Sequence, residues 1–279
     1  MKIIFQKPDL DTCLTALILG MKPSDDLVHA KKGASRADLM DPNVVCVEAG
    51  GSGHVERNNF DHHDPERYFP PACRQALSTL SSPDDRLVRL VEYVCMIDEA
   101  KPIDPPVAFP SLSNIFSGML LAEPDPMVQF RAGMQMIKTV WDEGLDPFAT
   151  LPDKPEWEAY IAAKRVNQEA VWADLQNARI LSADSGAPIA FLESAHIGGM
   201  ATLYQQGCQV VILFNPAFGT PPMRKFTIAG NHTPVGHLKP HFDAIESGWG
   251  GRDTILGSPW TGSQLSAETE LAESVINFL

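Results

Sequence analysis

The chain holds no run of apolar residues long enough to span a bilayer, so a membrane anchor is not expected. It also shows no secretory leader pattern at its start. Paired cysteine motifs are missing: Cys13, Cys46, Cys73, Cys95 and Cys208 are scattered without CxxC spacing. Four of them lie in apolar runs, so buried, reduced thiols and a cytoplasmic location are expected. Basic residues are scarce, 22 Lys and Arg against 35 Asp and Glu, for a net charge of −13. Such a chain gains nothing from counterion release, the term that drives non-specific binding to long nucleic acid. Duplex DNA or RNA is therefore not an expected partner, and a small anionic ligand is. Internal repeats and low-complexity segments are absent too. What remains is 279 residues with 44% hydrophobic content, enough for two domains and a sizeable core.

Within that chain the most informative stretch is Asn59-Phe60-Asp61-His62-His63-Asp64. A carboxylate beside two imidazoles suits Mn²⁺, Mg²⁺ or Zn²⁺. Three other acidic segments add weight to it. Lys2–Phe5 reads as a buried strand and Thr12–Leu19 as a helix with Gly20 after its end, which puts Asp9 and Asp11 in a strand-to-helix loop. Ligands bind at such loops in open α/β sheets. As an N-cap, Asp11 alone has a simpler explanation, which leaves Asp9 over. Val44–Val47 reads as a second strand, followed by Glu48 and the turn-forming Gly50 and Gly51. Leu87, Leu90, Val91, Val94 and Cys95 recur at helical spacing and lead to Asp98.

Together these segments resemble the signature motifs of the DHH phosphoesterase superfamily. Asp9 and Asp11 match the first motif, Glu48 stands where the second carries an Asp, Asp61, His62 and His63 match the third, and Asp98 the fourth. Ser247 to Asp253 resembles the glycine-rich motif of the associated substrate-binding domain, called DHHA1. The resemblance runs from residue 3 to about residue 260. It implies one or two Mn²⁺ or Mg²⁺ ions held by Asp9, Asp11, Glu48, Asp61, His62 and Asp98. It further implies catalytic roles for Asp61 and His63, with His63 facing the substrate phosphate, and substrate contacts from Gly250, Gly251 and Arg252. The chain departs from the pattern at four places. Phe5 and Lys7 stand where branches of the family carry His, Glu48 replaces Asp, and Arg252 replaces the His of the glycine-rich motif.

Phosphoester hydrolysis at neutral pH needs an activated water and a neutralised phosphoryl group, and a pair of divalent ions provides both. Holding them takes several carboxylates, which Asp9, Asp11, Glu48, Asp61 and Asp98 supply. The expected function is a metal-dependent phosphoesterase acting on a nucleotide, short oligonucleotide or polyphosphate. The alternative is a non-catalytic nucleotide-binding or regulatory protein on the same fold. A homo-oligomer stays open.

The expected fold class is α/β with two α/β domains. Residues 1–125 form the DHH domain, a mostly parallel sheet with flanking helices, read as strand, helix, strand, strand, helix, helix. Residues 126–178 form a helical connector, with Phe130, Met134, Ile137 and Trp141 on one face of its first helix. Trp157, Tyr160, Ile161, Val171, Trp172 and Leu175 share a face of its second. Residues 179–279 form a smaller DHHA1-like substrate-binding domain. Its strands are Arg179–Leu181, Pro188–Leu192, Val210–Phe214 and Arg224–Ala229. A helix at Gly199–Gln206 ends on Gly207, and a final amphipathic helix is capped by Ser266 and carries Leu271, Val275 and Leu279. The substrate is expected in a cleft between the domains.

Overall fold

Three strands of the first sheet are short, mostly apolar and buried, as in a parallel sheet covered on both faces. They are β1 (Lys2–Phe5), β3 (Val44–Val47) and β4 (Asn59–Phe60); β2 (Asp26–His29) is a half-buried edge strand. The computed structural model describes all residues except 23, 65, 184, 220, 266–269 and 279, and the side chains of 270, 273 and 278. Strand order is β2-β1-β3-β4, every pair parallel. Side-chain alternation sends Ile3, Phe5, Val45 and Val47 into the large core and Ile4, Val44 and Cys46 into a smaller one on the other face.

This topology positions the site. The chain leaves β1 for β2 and returns past β1 to β3, so the order reverses between β1 and β3. Ligands of open α/β sheets bind beyond the carboxyl ends of strands at such a point. Register aligns Phe5 with Val47 and Val47 with Phe60. The next residues, Glu48 and Asp61, therefore leave adjacent strands side by side.

The helices up to residue 175 are α1 (Leu10–Ile18), α2 (Arg36–Met40), α3 (Ala72–Leu77), α4 (Asp85–Asp98), α5 (Leu112–Ala122), α6 (Pro126–Asp142) and α7 (Glu158–Leu175). The N-cap of α1 is Asp9, which accepts the Thr12 N–H, and not Asp11. Gly20 follows its end at φ +73°, as expected of a C′ residue. The α4 face foreseen from Leu87, Leu90, Val91, Val94 and Cys95 is buried. Three elements were not legible beforehand: the polar edge strand β2, the surface helix α2 and the short α3. On α6, Phe130 and Ile137 are buried. On α7, Ile161 and Val171 are buried, but Trp172 is 62% exposed, against its expected place on the core face.

The chain divides into two compact units, Met1–Arg165 and Val166–Leu279, so the segment 126–178 is shared between them. The second unit contains β5 (Arg179–Ser182), β6 (Pro188–Glu193), α8 (Gly199–Gln205), β7 (Val210–Phe218), β8 (Met223–Gly230), α9 (Lys239–Ile245), β9 (Gly250–Arg252), β10 (Ile255–Gly257) and α10 (Glu270–Phe278). Its sheet runs β5-β6-β7-β8-β10-β9, with only β6 and β7 parallel. The four strands and the helix α8 foreseen there are present. The glycine-rich stretch adds an edge strand, β9, paired with β10. Leu271 and Val275 of α10 are buried; Ser266 and Leu279 lie outside the described residues. Among the described residues no helix is long and apolar enough to cross a membrane. All five cysteines are buried and free.

Candidate metal centre

Asp11 lies in the first turn of α1, fully buried. Its two oxygens accept the N–H groups of Ala72 and Cys73, both at 2.7 Å. Those donors open α3, whose N-cap is Pro71 and offers no side-chain acceptor. Asp11 thus caps a helix some sixty residues away, a role invisible in local sequence.

Glu48 follows β3 with φ +47°, in the left-handed region that non-glycine residues seldom adopt. Strain of this kind concentrates at functional sites. Gly51 completes the turn at φ +78°, where a Cβ would stand 2.8 Å from Asn59 Nδ2, so only glycine closes it. The buried Glu48 carboxylate accepts the Thr12 hydroxyl at 2.6 Å through one oxygen and meets His62 Nε2 at 2.9 Å through the other.

Past the end of β4, Asp61 is almost fully committed to its own loop. It accepts the N–H of Gly50 at 2.6 Å, the hydroxyl of Ser52 at 2.9 Å and the N–H of His63 at 2.6 Å. Burial pushes its pKa up, but these donors and the His63 ring outweigh burial and bring it down to about 2. Asp98, at the end of α4, reaches His62 Nε2 at 3.4 Å. His63 is the most open of these groups at 46% exposure, with Nδ1 3.4 Å from Asp61 and 3.7 Å from Glu48.

Two sets of donor atoms converge within 4.8 Å of one another: Asp11, Glu48, His62 and Asp98 in one, and Glu48, His62 and His63 in the other. Neither Asp9 nor Asp61 belongs to them. Asp9 stays close enough to Glu48 to raise its pKa, while its own carboxylate caps α1 and meets Lys7 at 3.5 Å. Phe5, at the position where the resemblance implies a His, is core: its ring centroid lies 4.4 Å from that of Phe130 and 5.4 Å from that of His29.

The donor chemistry fits a divalent cation. Three carboxylates and one imidazole make a hard-to-borderline set. Burial first, and then neighbouring carboxylates, holds Asp11, Glu48 and Asp98 above the ordinary carboxylate range: Glu48 and Asp98 act on Asp11, and Asp9 acts on Glu48 and Asp98. His62 is the member that can offset this charge, and the Glu48 hydrogen bond raises its pKa to about 9. A cation in the cluster would relieve both the repulsion and that proton. The cluster can therefore hold a metal ion.

Several supporting residues went unread in the sequence. Thr12 orients Glu48, Ser52 and Gly50 orient Asp61, and Gln75 donates to the Asp61 carbonyl at 3.0 Å. Only Thr12 left a sequence trace, as a hydroxyl directly after the Asp-x-Asp pair. In the second unit, Gly250, Gly251 and Arg252 are exposed on β9.

No protein-family model matches the chain, and no curated protein matches it in sequence. Solved structures do. A pGpG-specific phosphodiesterase, PggH from Vibrio cholerae, superposes with a TM-score of 0.62 at 13% identity over 92% of both chains. The DHH domain of a protein described as belonging to a family of ribosomal proteins gives 0.54 at 9% identity, over 92% of this chain and 82% of that one. Over nearly its whole length, this chain has the fold of DHH-domain proteins.

Proposed function

We propose that the chain is a metal-dependent phosphohydrolase acting on a small nucleotide or short oligonucleotide. The observation that carries this reading is the convergence of Asp11, Glu48, His62 and Asp98 donor atoms within 4.8 Å at the topological switch point of a parallel sheet. These four residues would hold Mn²⁺ or Mg²⁺. A divalent ion there supplies Lewis-acid polarisation of the phosphoryl group and an acidified water.

The remaining steps belong to the side chains. Thr12 fixes the Glu48 carboxylate, leaving its other oxygen for the cluster. Asp61 grips the His63 backbone N–H, which holds the exposed imidazole over the cluster edge. From there the ring can donate to a phosphoryl oxygen, because its raised pKa favours the protonated form. Arg252, exposed on β9, is proposed as a phosphate contact on the strength of its bidentate guanidinium, and its loss would raise KM. The net charge of −13 favours a short ligand over a long nucleic acid, and the PggH likeness points the same way.

The test is Mn²⁺-dependent release of mononucleotide or phosphate from a dinucleotide, a short RNA, pyrophosphate and polyphosphate, with Asp98→Asn as control. Turnover lost in the variant supports the reading. A folded, metal-loaded protein that turns over none of the panel would favour non-catalytic nucleotide binding. That second reading draws on Phe5, which packs as core where the resemblance implies a His.

A further inference from the structure

The first unit carries a pair of thiols behind the metal cluster. Cys73 of α3 and Cys95 of α4 are buried and free, and their sulfurs stand 3.8 Å apart. Each belongs to the backbone that supports a cluster residue. The Cys73 N–H is one of the two donors that hold Asp11, at 2.7 Å. Cys95 lies one helical turn before Asp98 on α4. Burial raises the pKa of Cys13, Cys46, Cys73 and Cys208, as expected of inert core cysteines. Cys95 moves the other way. Its hydrogen bond with Cys73 lowers its pKa against the cost of burial, and the charge of Arg74 adds to the lowering. A thiol with a cation nearby and a second thiol in contact is the arrangement of an oxidisable pair.

We propose that Cys73 and Cys95 are a redox modification site, a dithiol that hydrogen peroxide converts to a disulfide between α3 and α4. The Cys95 sulfur attacks one peroxide oxygen and the O–O bond breaks. The departing oxygen takes up the thiol proton and leaves as water, and Cys95 becomes a sulfenic acid. The Cys73 sulfur then attacks the Cys95 sulfur and the S–O bond breaks. The hydroxyl leaves with the Cys73 proton as a second water. Two thiols and one peroxide thus become one disulfide and two waters. Cys95 keeps only 5% exposure, which restricts the reagent to a small oxidant. A disulfide bond is about 2.0 Å long, so bridging a 3.8 Å gap draws the sulfurs together by roughly 1.8 Å. That closure displaces the N–H that holds Asp11 and the last turn of α4, which carries Asp98. The consequence for metal rests on the reading of these two residues as ligands: the disulfide form binds Mn²⁺ about tenfold or more weakly than the dithiol.

The experiment treats the folded full chain with hydrogen peroxide in EDTA and reads intact mass and a non-reducing peptide map. The expected result is a loss of about 2 Da, with the Cys73 and Cys95 peptides joined, the other three cysteines still open to alkylation after unfolding, and full reversal by dithiothreitol. Cys95→Ser should abolish the bridge, and Cys73→Ser should leave a Cys95 sulfenic acid that dimedone traps. Thiols that stay free under peroxide, a bridge to another cysteine, or a Cys73–Cys95 bridge that forms only in urea would each overturn the proposal. The map of the parent decides this even if a serine variant folds poorly. Calorimetric titration of Mn²⁺ into the dithiol and disulfide forms then reads the coupling. An affinity at least about tenfold weaker in the disulfide form supports it, and equal affinities overturn it. Mass detects the bridge without metal, so a bridged protein that binds no Mn²⁺ in either form would defeat the metal centre and still support the redox site.

Discussion

Asp98 is the cluster member least tied into the fold. It is the last residue of α4, its side chain is 20% exposed, and it meets His62 at 3.4 Å. Burial, with Asp9 and Glu99, raises its pKa against the pull of His62 and His63. The native state therefore binds that proton more tightly than the unfolded chain does. Stability falls as pH rises through this range, and the ionised carboxylate is a net cost at neutral pH. Asp98→Asn removes the cost, so the metal-free variant should melt at or slightly above the parent temperature. With metal the sign reverses. At a Mn²⁺ concentration about one hundred times Kd, selective binding to the native state stabilises it by about 2.7 kcal/mol. For a unit the size of Met1–Arg165 this raises Tm by about 5–10 °C. In Asp98→Asn that rise should fall to about 2 °C or less at the same concentration. The assay is differential scanning calorimetry of both proteins in EDTA and in a Mn²⁺ series. An undiminished Mn²⁺ shift in the variant would refute Asp98 as a ligand. Absence of any shift in the parent would refute the metal centre.

Other perturbations separate support from ligation. Asp61→Asn leaves donors from Gly50, Ser52 and His63 facing an amide, and should cost about 1–3 kcal/mol in urea unfolding even without metal. The parent's Asp61 contribution is present above the ordinary carboxylate pKa and is lost as pH falls toward about 2, so the variant's deficit should shrink in acid. Thr12→Val removes the hydroxyl that fixes Glu48, and should weaken Mn²⁺ binding about tenfold in calorimetry while the fold persists. His62 holds a proton up to about pH 9 in the metal-free protein, and that proton must leave before Nε2 can ligate. Mn²⁺ affinity should rise roughly tenfold per pH unit between about 7 and 9, with about one proton released per ion. A pH-independent affinity would show that His62 does not ligate.

The local elements were legible because they rest on local rules. Ile3–Phe5 and Val44–Val47 are β-branched or apolar runs ended by polar residues, and the period of Leu87, Leu90, Val91 and Val94 admits only a helix. Glu48, Asp61 and Asp98 were therefore correctly seen to follow a strand or close a helix, whereas Asp11, expected in the loop before α1, stands in its first turn. The glycine-rich stretch was harder. Two glycines and an arginine carry no strand propensity, and β9 exists because β10 offers it a ladder. The short α3 depends on a cap supplied by Asp11 from far up the chain.

Sequence alone determined that carboxylates and imidazoles stand at the carboxyl ends of parallel strands, since alternation, turn residues and helix period are written in neighbouring positions. Tertiary structure decided which of them meet. The register of β1, β3 and β4 brings Glu48 and Asp61 side by side, with Asp61 accepting loop donors and Asp9 capping α1. Donor atoms of Asp11, Glu48, His62 and Asp98 converge within 4.8 Å of one another. Donor atoms must converge to within a few ångströms to bind an ion. That convergence is set by strand pairing and packing between remote segments, which no local pattern encodes.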